Sequence, residues 1–167
     1  HDIEWVEVFG GSVCKLGECL EAVQDGLLDI ADLHVPFEPT KLMAHNFPYF
    51  VPFGQPDPIK AAVAARKVFD EFPALKEVLE KKYNQVYLAT GTVGNYNLVT
   101  TFAWDKVEQL AGHKIAAAGP NMPWLQNTKA VPVQSNLNEA YTSFQTGVYD
   151  GWIMFPDATV GFKLHEV

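Results

Sequence analysis

Residues 136–152 read NLNEAYTSFQTGVYDGW, and this stretch decides the fold. Its apolar side chains recur at helical spacing and predict a short helix with one apolar face: Leu137, Ala140, Tyr141 and Phe144. Gly147 stands where a helix needs a left-handed residue at its C-terminal end. The Asp150-Gly151 pair predicts a sharp turn, after which Trp152 opens an apolar strand. The stretch therefore predicts a helix, a turn and a strand in immediate succession.

Length and composition place the chain among globular proteins. Its 167 residues suffice for one ordinary domain or two small lobes. Hydrophobic residues make up 48% and charged residues 19%, which excludes a disordered chain. A formal net charge of -8 argues against nucleic acid or an anionic membrane as a partner. The sequence contains no apolar run of the roughly 18 residues that a transmembrane helix needs, so none is predicted.

The start of the chain predicts a β-α-β unit. Residues 3–9 alternate apolar and charged side chains, as a half-buried strand does. A helix is predicted from Leu16 to Gln24, and a short buried strand from Asp29 to Leu33. Because two strands joined by a crossover helix usually form a parallel pair, this order predicts an α/β fold with a helix packed on the sheet.

Prolines shape the next segment. Residues 34–56 contain five prolines, which forbid long regular structure there. Within them, residues 47–53 are apolar and are expected to pack under helices or to line a cleft. Pro58 to Phe72 is the clearest helix, because Asp57 is a good cap for its first turn. Pro73 breaks this helix, and a second helix follows it.

Short strands and helices alternate in the remainder of the chain. Strands are predicted at 85–89, 96–101, 114–118 and 130–133, and helices at 105–112, 120–127 and 156–167. The glycine-rich stretch 91–95 is the best boundary, since strands can cross there between two lobes. We therefore predict that residues 1–95 form part of a first α/β lobe. Residues 96–167 form part of a second, which ends in a helix between the lobes.

Two cysteines, Cys14 and Cys19, lie five residues apart. Zinc sites usually need closer spacing and more ligands, so no metal site is predicted. In an oxidising compartment the two form a local disulfide if Cys14 precedes the helix that contains Cys19. Two free thiols are the alternative, and the sequence does not decide between them.

The sequence shows none of the common catalytic motifs. It lacks a G-x-S-x-G nucleophile elbow, a phosphate-binding G-x-x-x-x-G-K loop and an H-E-x-x-H zinc motif. Pairs such as Cys19 with a distant histidine arise by chance in most chains of this length. We therefore predict neither catalytic residues nor a cofactor.

The pattern E-x-Y-x-x-x-Q-x-G-x-x-D-G, at residues 139–151, resembles the signature of the solute-binding proteins of tripartite ATP-independent periplasmic (TRAP) transporters, the DctP-like family. Residues 21–30, 47–53 and 110–115 resemble further segments of that family. The resemblance implies a periplasmic protein that holds a small organic solute between two lobes and delivers it to membrane permease subunits. It also implies that this chain is a central fragment, incomplete at both ends.

Several side chains are candidates for contact with a solute. His34 ends the predicted strand 29–33, at the sheet edge where α/β proteins bind ligands, or it is a loop residue satisfied by water. Asn121 either donates to a solute or caps a helix, and capping is the preferred interpretation. Trp124 suits a cleft and a core equally. Trp152 follows the Asp-Gly turn, where the family places cleft residues. It either faces the cleft or packs in the core, and the cleft is the preferred interpretation, with Phe155 expected nearby.

The resemblance also bears on the charge of the solute. The arginine that clamps carboxylates in the family would stand at Ala116, and a second basic position falls near Leu98. The single arginine of the chain, Arg66, lies on the predicted long helix of the first lobe. Without the clamp, the aromatic residues favour a neutral or apolar solute, an aromatic one included. The alternatives are an α/β enzyme with an unrecognised site and a ligand-sensing domain of similar fold.

Overall fold

A four-stranded sheet in the second half of the chain is the centre of the fold. The structure is a computed structural model that describes residues 3–51 and 54–167. Its strands are β1 (Asn97–Thr100), β2 (Lys114–Ala117), β3 (Val131–Gln134) and β4 (Gly151–Met154), in the order β1-β4-β2-β3. β2 pairs in parallel with both β4 and β3, whereas β1 pairs antiparallel with β4. The result is a mixed α/β sheet whose parallel part places the carboxyl ends of β2 and β3 side by side.

Five α-helices and five 3-10 helices surround this sheet in the described residues. The α-helices are α1 (Cys19–Gln24), α2 (Pro58–Glu71), α3 (Pro73–Tyr83), α4 (Leu137–Gln145) and α5 (Pro156–Gly161). The 3-10 helices are Val35–Phe37, Met43–Phe50, Val107–Leu110, Gly119–Leu125 and Leu164–Glu166. Among the described residues, no helix combines the length and the apolar character that crossing a bilayer requires.

The helix, turn and strand predicted for residues 136–152 are confirmed. The Asn136 side chain accepts a hydrogen bond from the backbone N–H of Asn138 at 3.0 Å and so caps α4. Gly147 follows the helix with φ +70°, a conformation that favours glycine. A Cβ on Gly151 would lie 2.8 Å from the Ile115 side chain and 2.9 Å from the Val99 carbonyl oxygen. Only glycine therefore fits at the start of β4, between its two neighbouring strands.

The long helix and its break are also confirmed. The Asp57 side chain accepts hydrogen bonds from the backbone N–H groups of Ile59 and Lys60, at 3.0 and 3.1 Å. Asp57 is therefore the cap, and α2 begins at Pro58. Pro73 ends this helix and opens α3, because proline suits a first turn but not a helix interior.

Two clusters of buried apolar side chains form the core. The sheet core lies around β2, β4 and α4 and contains Ile115, Ala116, Tyr149, Trp152 and Met154 among others. The helical core lies between α1, α3 and the 3-10 helix Met43–Phe50, with Leu20, Leu42, Leu79 and Tyr83. The sheet core is drawn almost entirely from residues 96–167 and the helical core from residues before 95. The division into lobes at residues 95 and 96 stays a prediction.

The predictions of strands at residues 3–9, 29–33 and 85–89 are wrong. All three segments lack regular structure, so the β-α-β unit predicted near the start of the chain is not formed. Their apolar side chains are largely exposed, as Trp5 and Leu88 illustrate at 66% and 61%. An alternating pattern forms a strand only where a neighbouring strand supplies hydrogen bonds, and no strand among the described residues pairs with these segments.

Several helix predictions need correction at their ends. The first helix begins at Cys19 rather than Leu16, because Gly17 adopts φ +86°. The helices predicted at 105–112 and 120–127 are 3-10 helices, and the former begins after Lys106 rather than Asp105. The last predicted helix is interrupted after Gly161, where Lys163 adopts φ +56°.

The proline-rich segment is more regular than its sequence suggests. It contains the 3-10 helix Met43–Phe50, with Pro48 inside it. Pro52 and Phe53, the end of the predicted apolar loop, lie outside the described residues.

Candidate functional site

A cleft of about 420 Å³ opens at the carboxyl ends of β2 and β3. Residues that follow these two strands form one wall: Gly119, Gln134, Ser135, Asn136 and Glu139. The facing wall comes from the start of the chain: Leu16, Pro36, Phe37 and Pro39. In open α/β sheets, ligands bind in the crevice outside the carboxyl ends of parallel strands. The cleft therefore lies where the fold most readily accepts a small molecule.

The wall beside β3 is polar and held rigid by hydrogen bonds. Ser135 Oγ donates to Glu139 Oε1 at 3.0 Å, and Asn136 Nδ2 donates to the same oxygen at 3.1 Å. The backbone N–H of Asn136 donates to it as well, at 3.3 Å. The bond from the Asn136 N–H belongs to the capping box of α4, so Glu139 both supports the start of the helix and orders the cleft wall.

A buried phenol supports this wall from behind. The Ser135 and Tyr149 hydroxyl oxygens are 3.4 Å apart, and Tyr149 is 1% exposed. Burial raises the pKa of Tyr149, because the phenolate would lose its solvation. The phenol therefore stays neutral and keeps the Ser135 hydroxyl in place for hydrogen bonding.

The facing wall is apolar and built from stiff segments. Pro36 and Pro39 flank Phe37, and the 3-10 helix Val35–Phe37 is closed by a hydrogen bond from the Phe37 N–H to the His34 carbonyl oxygen at 3.0 Å. Leu16 reaches the cleft from a loop closed by a Cys14–Cys19 disulfide, with the two Cα atoms 5.2 Å apart. A solute in this cleft would meet hydroxyl, amide and carboxylate groups on one side and hydrocarbon on the other.

Four aromatic rings join the two halves of the chain near the cleft, and we call them the aromatic cluster: Tyr49, Tyr96, Trp124 and Phe155. The hydroxyl groups of Tyr49 and Tyr96 share a 2.8 Å hydrogen bond, and Trp124 Nε1 donates to the Tyr49 carbonyl oxygen at 2.9 Å. Neighbouring ring centroids lie 5.6 to 6.1 Å apart. Burial is the main cause that raises the pKa of both tyrosines. The cluster therefore ties Tyr49 to the sheet.

A second, much smaller cavity lies between the cleft and the aromatic cluster. Its volume is about 10 Å³, and its walls include Phe37, Tyr96, Ala118, Trp152 and Phe155. This space is far below the size of an organic solute. Phe37 borders both cavities, so the larger cleft and the aromatic cluster are contiguous.

The structure distributes the sequence-predicted candidates over several places. Trp124 and Phe155 belong to the aromatic cluster, where both pack on Tyr96. Trp152 is 2% exposed and packs edge-on against Tyr149, so most of its indole lies in the sheet core, although it also borders the small cavity. Ala116 is fully buried in the same core.

His34 and Asn121 also lie apart from the larger cleft. His34 precedes the 3-10 helix Val35–Phe37, with its Nδ1 atom 4.0 Å from an Asp32 carboxylate oxygen. Capping by Asn121 is wrong, because Asn121 lies inside the 3-10 helix that follows Ala118. Its amide is fully buried, and neither Oδ1 nor Nδ2 has a hydrogen-bond partner among the described residues. None of the six candidates is among the described residues that line the larger cleft, so their contact with a solute stays a prediction.

Sequence reasoning missed the residues that do line the cleft. Ser135 and Asn136 directly follow a parallel strand, so the rule that ligands bind at carboxyl strand ends, which pointed to His34 in the sequence, applies to them as well. The Asn-x-x-Glu spacing of Asn136 and Glu139 is a capping-box signal in the sequence. Leu16 gave no such signal, because its position depends on a loop far from β3 in the chain.

No basic side chain lines the cleft in the part of the chain that the structure describes. Arg66 bonds the Asp70 carboxylate, at 3.1 Å from its Nε atom, and the Leu88 carbonyl oxygen on the outer face of α2. Lys41 bonds Glu21 and Glu38, and these partners raise its pKa. Among the described residues there is also no group of three or more side chains suited to a metal ion.

Comparison with known proteins shows which family the chain matches. The family model described as bacterial extracellular solute-binding protein, family 7, matches residues 6–167. No curated protein matches the sequence significantly.

Several solved structures share the fold, and each covers this chain almost entirely. One is a TRAP solute-binding protein from an unidentified marine microbe, which is specific for aromatic acid ligands and was crystallised with 3-hydroxybenzoate. It matches with a TM-score of 0.78 at 20% identity, and the match covers 91% of this chain and 46% of that protein. One from Bordetella bronchiseptica with bound (R)- and (S)-mandelate matches with a TM-score of 0.76 at 21% identity, over 93% and 49%.

A third structure is free of ligand. It is a TRAP periplasmic solute-binding protein from Citrobacter koseri in an apo, open form, with a TM-score of 0.69 and 25% identity over 96% of this chain and 55% of that one. The chain therefore spans about half the length of the solved proteins it resembles.

Proposed function

Because the chain belongs to the bacterial extracellular solute-binding protein family 7, we propose that it contributes to the solute-binding component of a TRAP-type uptake transporter. In this role it acts in the periplasm, captures a small organic solute, and delivers it to the permease subunits in the membrane. It binds the solute without converting it chemically. The proposal concerns the whole protein, of which the 167 residues supply a part of the binding cleft.

The observation that carries this proposal is the cleft at the carboxyl ends of β2 and β3. Its volume of about 420 Å³ falls in the range of small-molecule sites. Its two walls come from residues before 40 and residues after 118, so a change in the distance between these segments opens or closes it. Binding proteins of two lobes use such a movement to trap and release a ligand.

The chemistry of the walls favours a neutral solute with an apolar, aromatic part. Leu16 and Phe37 offer hydrocarbon, and burying apolar surface contributes roughly 25 cal/mol per Å². Ser135 and Asn136 offer groups that hydrogen-bond without a charge. A carboxylate would enter a site that has no basic side chain among its described lining residues, next to the Glu139 carboxylate, and desolvation without a charged partner is costly.

The relatives with bound aromatic acids support the aromatic part of this proposal but not the absence of charge. The ring of 3-hydroxybenzoate, which the marine protein binds, suits an apolar wall of the kind formed by Leu16 and Phe37. Its carboxylate would meet no basic side chain among the described residues that line the cleft, and Ala116 stands where the family resemblance places the clamping arginine. We therefore propose that this protein takes the uncharged counterpart of such a solute.

Calorimetry with pairs of solutes that differ only in charge tests the proposal. The pairs are 3-hydroxybenzamide with 3-hydroxybenzoate, and mandelamide with mandelate, each titrated at pH 7 into the whole protein. We expect an amide to bind at least tenfold tighter than its acid, and to be recovered unchanged after long incubation. Tight binding of the acid alone would contradict the solute class, and binding of no solute would contradict the role of the cleft.

A further inference from the structure

The disulfide loop Cys14–Cys19 connects the two cores of the protein. Leu20, one residue beyond the loop, is fully buried in the helical core, and its carbonyl oxygen accepts a hydrogen bond from Gln85 Nε2 at 2.5 Å. Leu16, inside the loop, packs against the sheet core and lines the cleft. The disulfide loop therefore joins a helix that is held in the helical core to Leu16, which packs against the sheet core beside the cleft.

The loop also fits closely against the apolar cleft wall. Gly17 adopts φ +86°, and a Cβ at this position would lie 3.2 Å from the Phe37 carbonyl oxygen. Gly17 thus allows the loop backbone to approach the 3-10 helix that carries Pro36 and Phe37. Leu16 and Phe37 line the cleft as neighbours for this reason.

A disulfide across so short a loop has a local rather than a global effect. The stabilisation from restricting the unfolded chain grows with loop length, and here the sequence separation is 5. What the bond does fix is the path of residues 14–19, which holds a left-handed glycine and is otherwise closed only by short-range hydrogen bonds such as those between Lys15 and Glu18. A cross-link at this place suits a loop whose side chains must keep their position beside the cleft.

We propose that Leu16 is a solute-contacting residue that sets the size of the cleft, and that the Cys14–Cys19 disulfide positions it. The inference rests on the proposed solute-binding function and adds a residue and a covalent device to it. In the oxidised protein the loop holds Leu16 against the sheet core. When the disulfide is cleaved, two electrons and two protons convert the S–S bond into two thiols, and Leu16 is released from the cleft wall.

Hydrogen exchange tests the positioning without any solute. The oxidised protein is compared with protein reduced by dithiothreitol, which becomes its cyclic disulfide, and with the double variant C14S/C19S. We expect the Phe37 and Glu38 amides, which donate to the His34 and Val35 carbonyl oxygens, to exchange at least tenfold faster in both. The amides of α4 serve as the internal control and should not change. Unchanged exchange at Phe37 and Glu38 would overturn the positioning role.

Solute affinity tests the contact itself. The probes are 3-hydroxybenzamide and the larger 6-hydroxy-2-naphthamide, and the variants are Leu16→Ala, Leu16→Met and Leu27→Ala. Leu27 is the matched control, because it is 67% exposed and is not among the residues lining the cleft. We expect Leu16→Ala to weaken the benzamide about tenfold and to shift the ratio of affinities toward the naphthamide. Leu27→Ala should stay close to the wild type, and Leu16→Met, which keeps an unbranched apolar side chain in the cleft, should lose less affinity than Leu16→Ala.

The outcomes separate the inference from the function on which it rests. If the wild type binds a probe and Leu16→Ala changes neither the affinity nor the ratio, the contact is refuted while the binding function stands. If the oxidised wild type binds neither probe, the proposed function fails and the solute contact of Leu16 fails with it. The exchange measurement decides the positioning role in either case.

Discussion

Ala116 lies directly opposite Trp152 in the parallel pairing of β2 and β4. Opposed residues of neighbouring strands point to the same face of a sheet. Val99 stands opposite Trp152 on its other side, and Val133 stands opposite Ala116, so one row of side chains crosses all four strands. A small residue beside a large one fills this row, with Ala116 at 0% and Trp152 at 2% exposure. Trp152 is therefore the neighbour of the position at which the family resemblance predicts the clamping arginine.

Replacing Ala116 by arginine should destabilise the protein without creating an acid-binding site. The guanidinium would enter a packed core with no carboxylate partner in the row, and we expect a loss of at least about 3 kcal/mol in the free energy of unfolding. Urea unfolding measures this, with the exposed Ala64→Arg on α2 as the control. A stable Ala116→Arg protein that binds 3-hydroxybenzoate tightly would show that Trp152 does not close the position.

Asn121 should be replaceable by leucine at no loss of stability. Both of its amide atoms are buried without a partner in the part of the chain that the structure describes, so their removal relieves a desolvation cost of about 1–3 kcal/mol. We expect the free energy of unfolding to stay level or to rise by about 1 kcal/mol.

Asn46 provides the matched comparison for Asn121. It is equally buried, but its Nδ2 donates to the Val35 and Leu42 carbonyl oxygens, both at 3.0 Å. Asn46→Leu should therefore lose about 1–3 kcal/mol in the same urea experiment. If Asn121→Leu proved as damaging as Asn46→Leu, the Asn121 amide must have partners that it uses in the folded protein.

Gly151→Ala should destabilise the sheet. A Cβ there would lie 2.9 Å from the Val99 carbonyl oxygen, which cannot move without disturbing the pairing of β1 with β4. Overpacking of this kind costs about 1–3 kcal/mol. Gly161→Ala is the control, because the added methyl group at the end of α5 meets open space. Equal melting temperatures for the two variants would contradict the close packing around Gly151.

The free energy of unfolding should decrease above about pH 10, and the aromatic cluster should account for part of this decrease. The pKa values of Tyr49 and Tyr96 are raised mainly by burial, so the folded state keeps protons that the unfolded state loses above the ordinary tyrosine pKa. Each such group lowers the free energy of unfolding by about 1.4 kcal/mol per pH unit until its folded pKa is reached.

Phenylalanine substitutions isolate this contribution. Tyr49→Phe and Tyr96→Phe each remove one titrating hydroxyl and keep the ring contacts of the cluster. Each should make the decline between pH 10 and 11 less steep by up to about 1.4 kcal/mol per pH unit. Tyr141→Phe, at a half-exposed position of α4, is the comparison and should have little effect. A slope that is the same in all three variants and the wild type would contradict the burial of Tyr49 and Tyr96.

The sequence predicts those parts of the fold that local chemistry determines. Asp57 and Asn136 are caps whose partners lie two or three residues away, and Gly147 ends a helix by its own backbone conformation. For that reason α2 and α4 were predicted closely. Residues 3–9 show the opposite case, since a strand requires a partner from elsewhere in the chain, and an alternating pattern does not supply one.

The cleft is harder to predict for the same physical reason. Leu16 and Glu139 are far apart in the sequence and meet only because a loop beside the helical core reaches the carboxyl end of β3. The rule that ligands bind at such strand ends locates the region, and the residues of the opposite wall follow only from tertiary packing. The aromatic cluster likewise unites Tyr49 with Tyr96 across the boundary near residue 95.

Native mass spectrometry of the whole protein, purified gently from its own cells, tests the central claim most directly. The account predicts a neutral organic solute with an aromatic or apolar part, released on unfolding in a ratio of about one per protein and bound again by the emptied protein. Leu16→Ala should carry less of it than Leu27→Ala. A sugar acid or a dicarboxylate recovered in the same ratio, and retained by Leu16→Ala, would contradict the account.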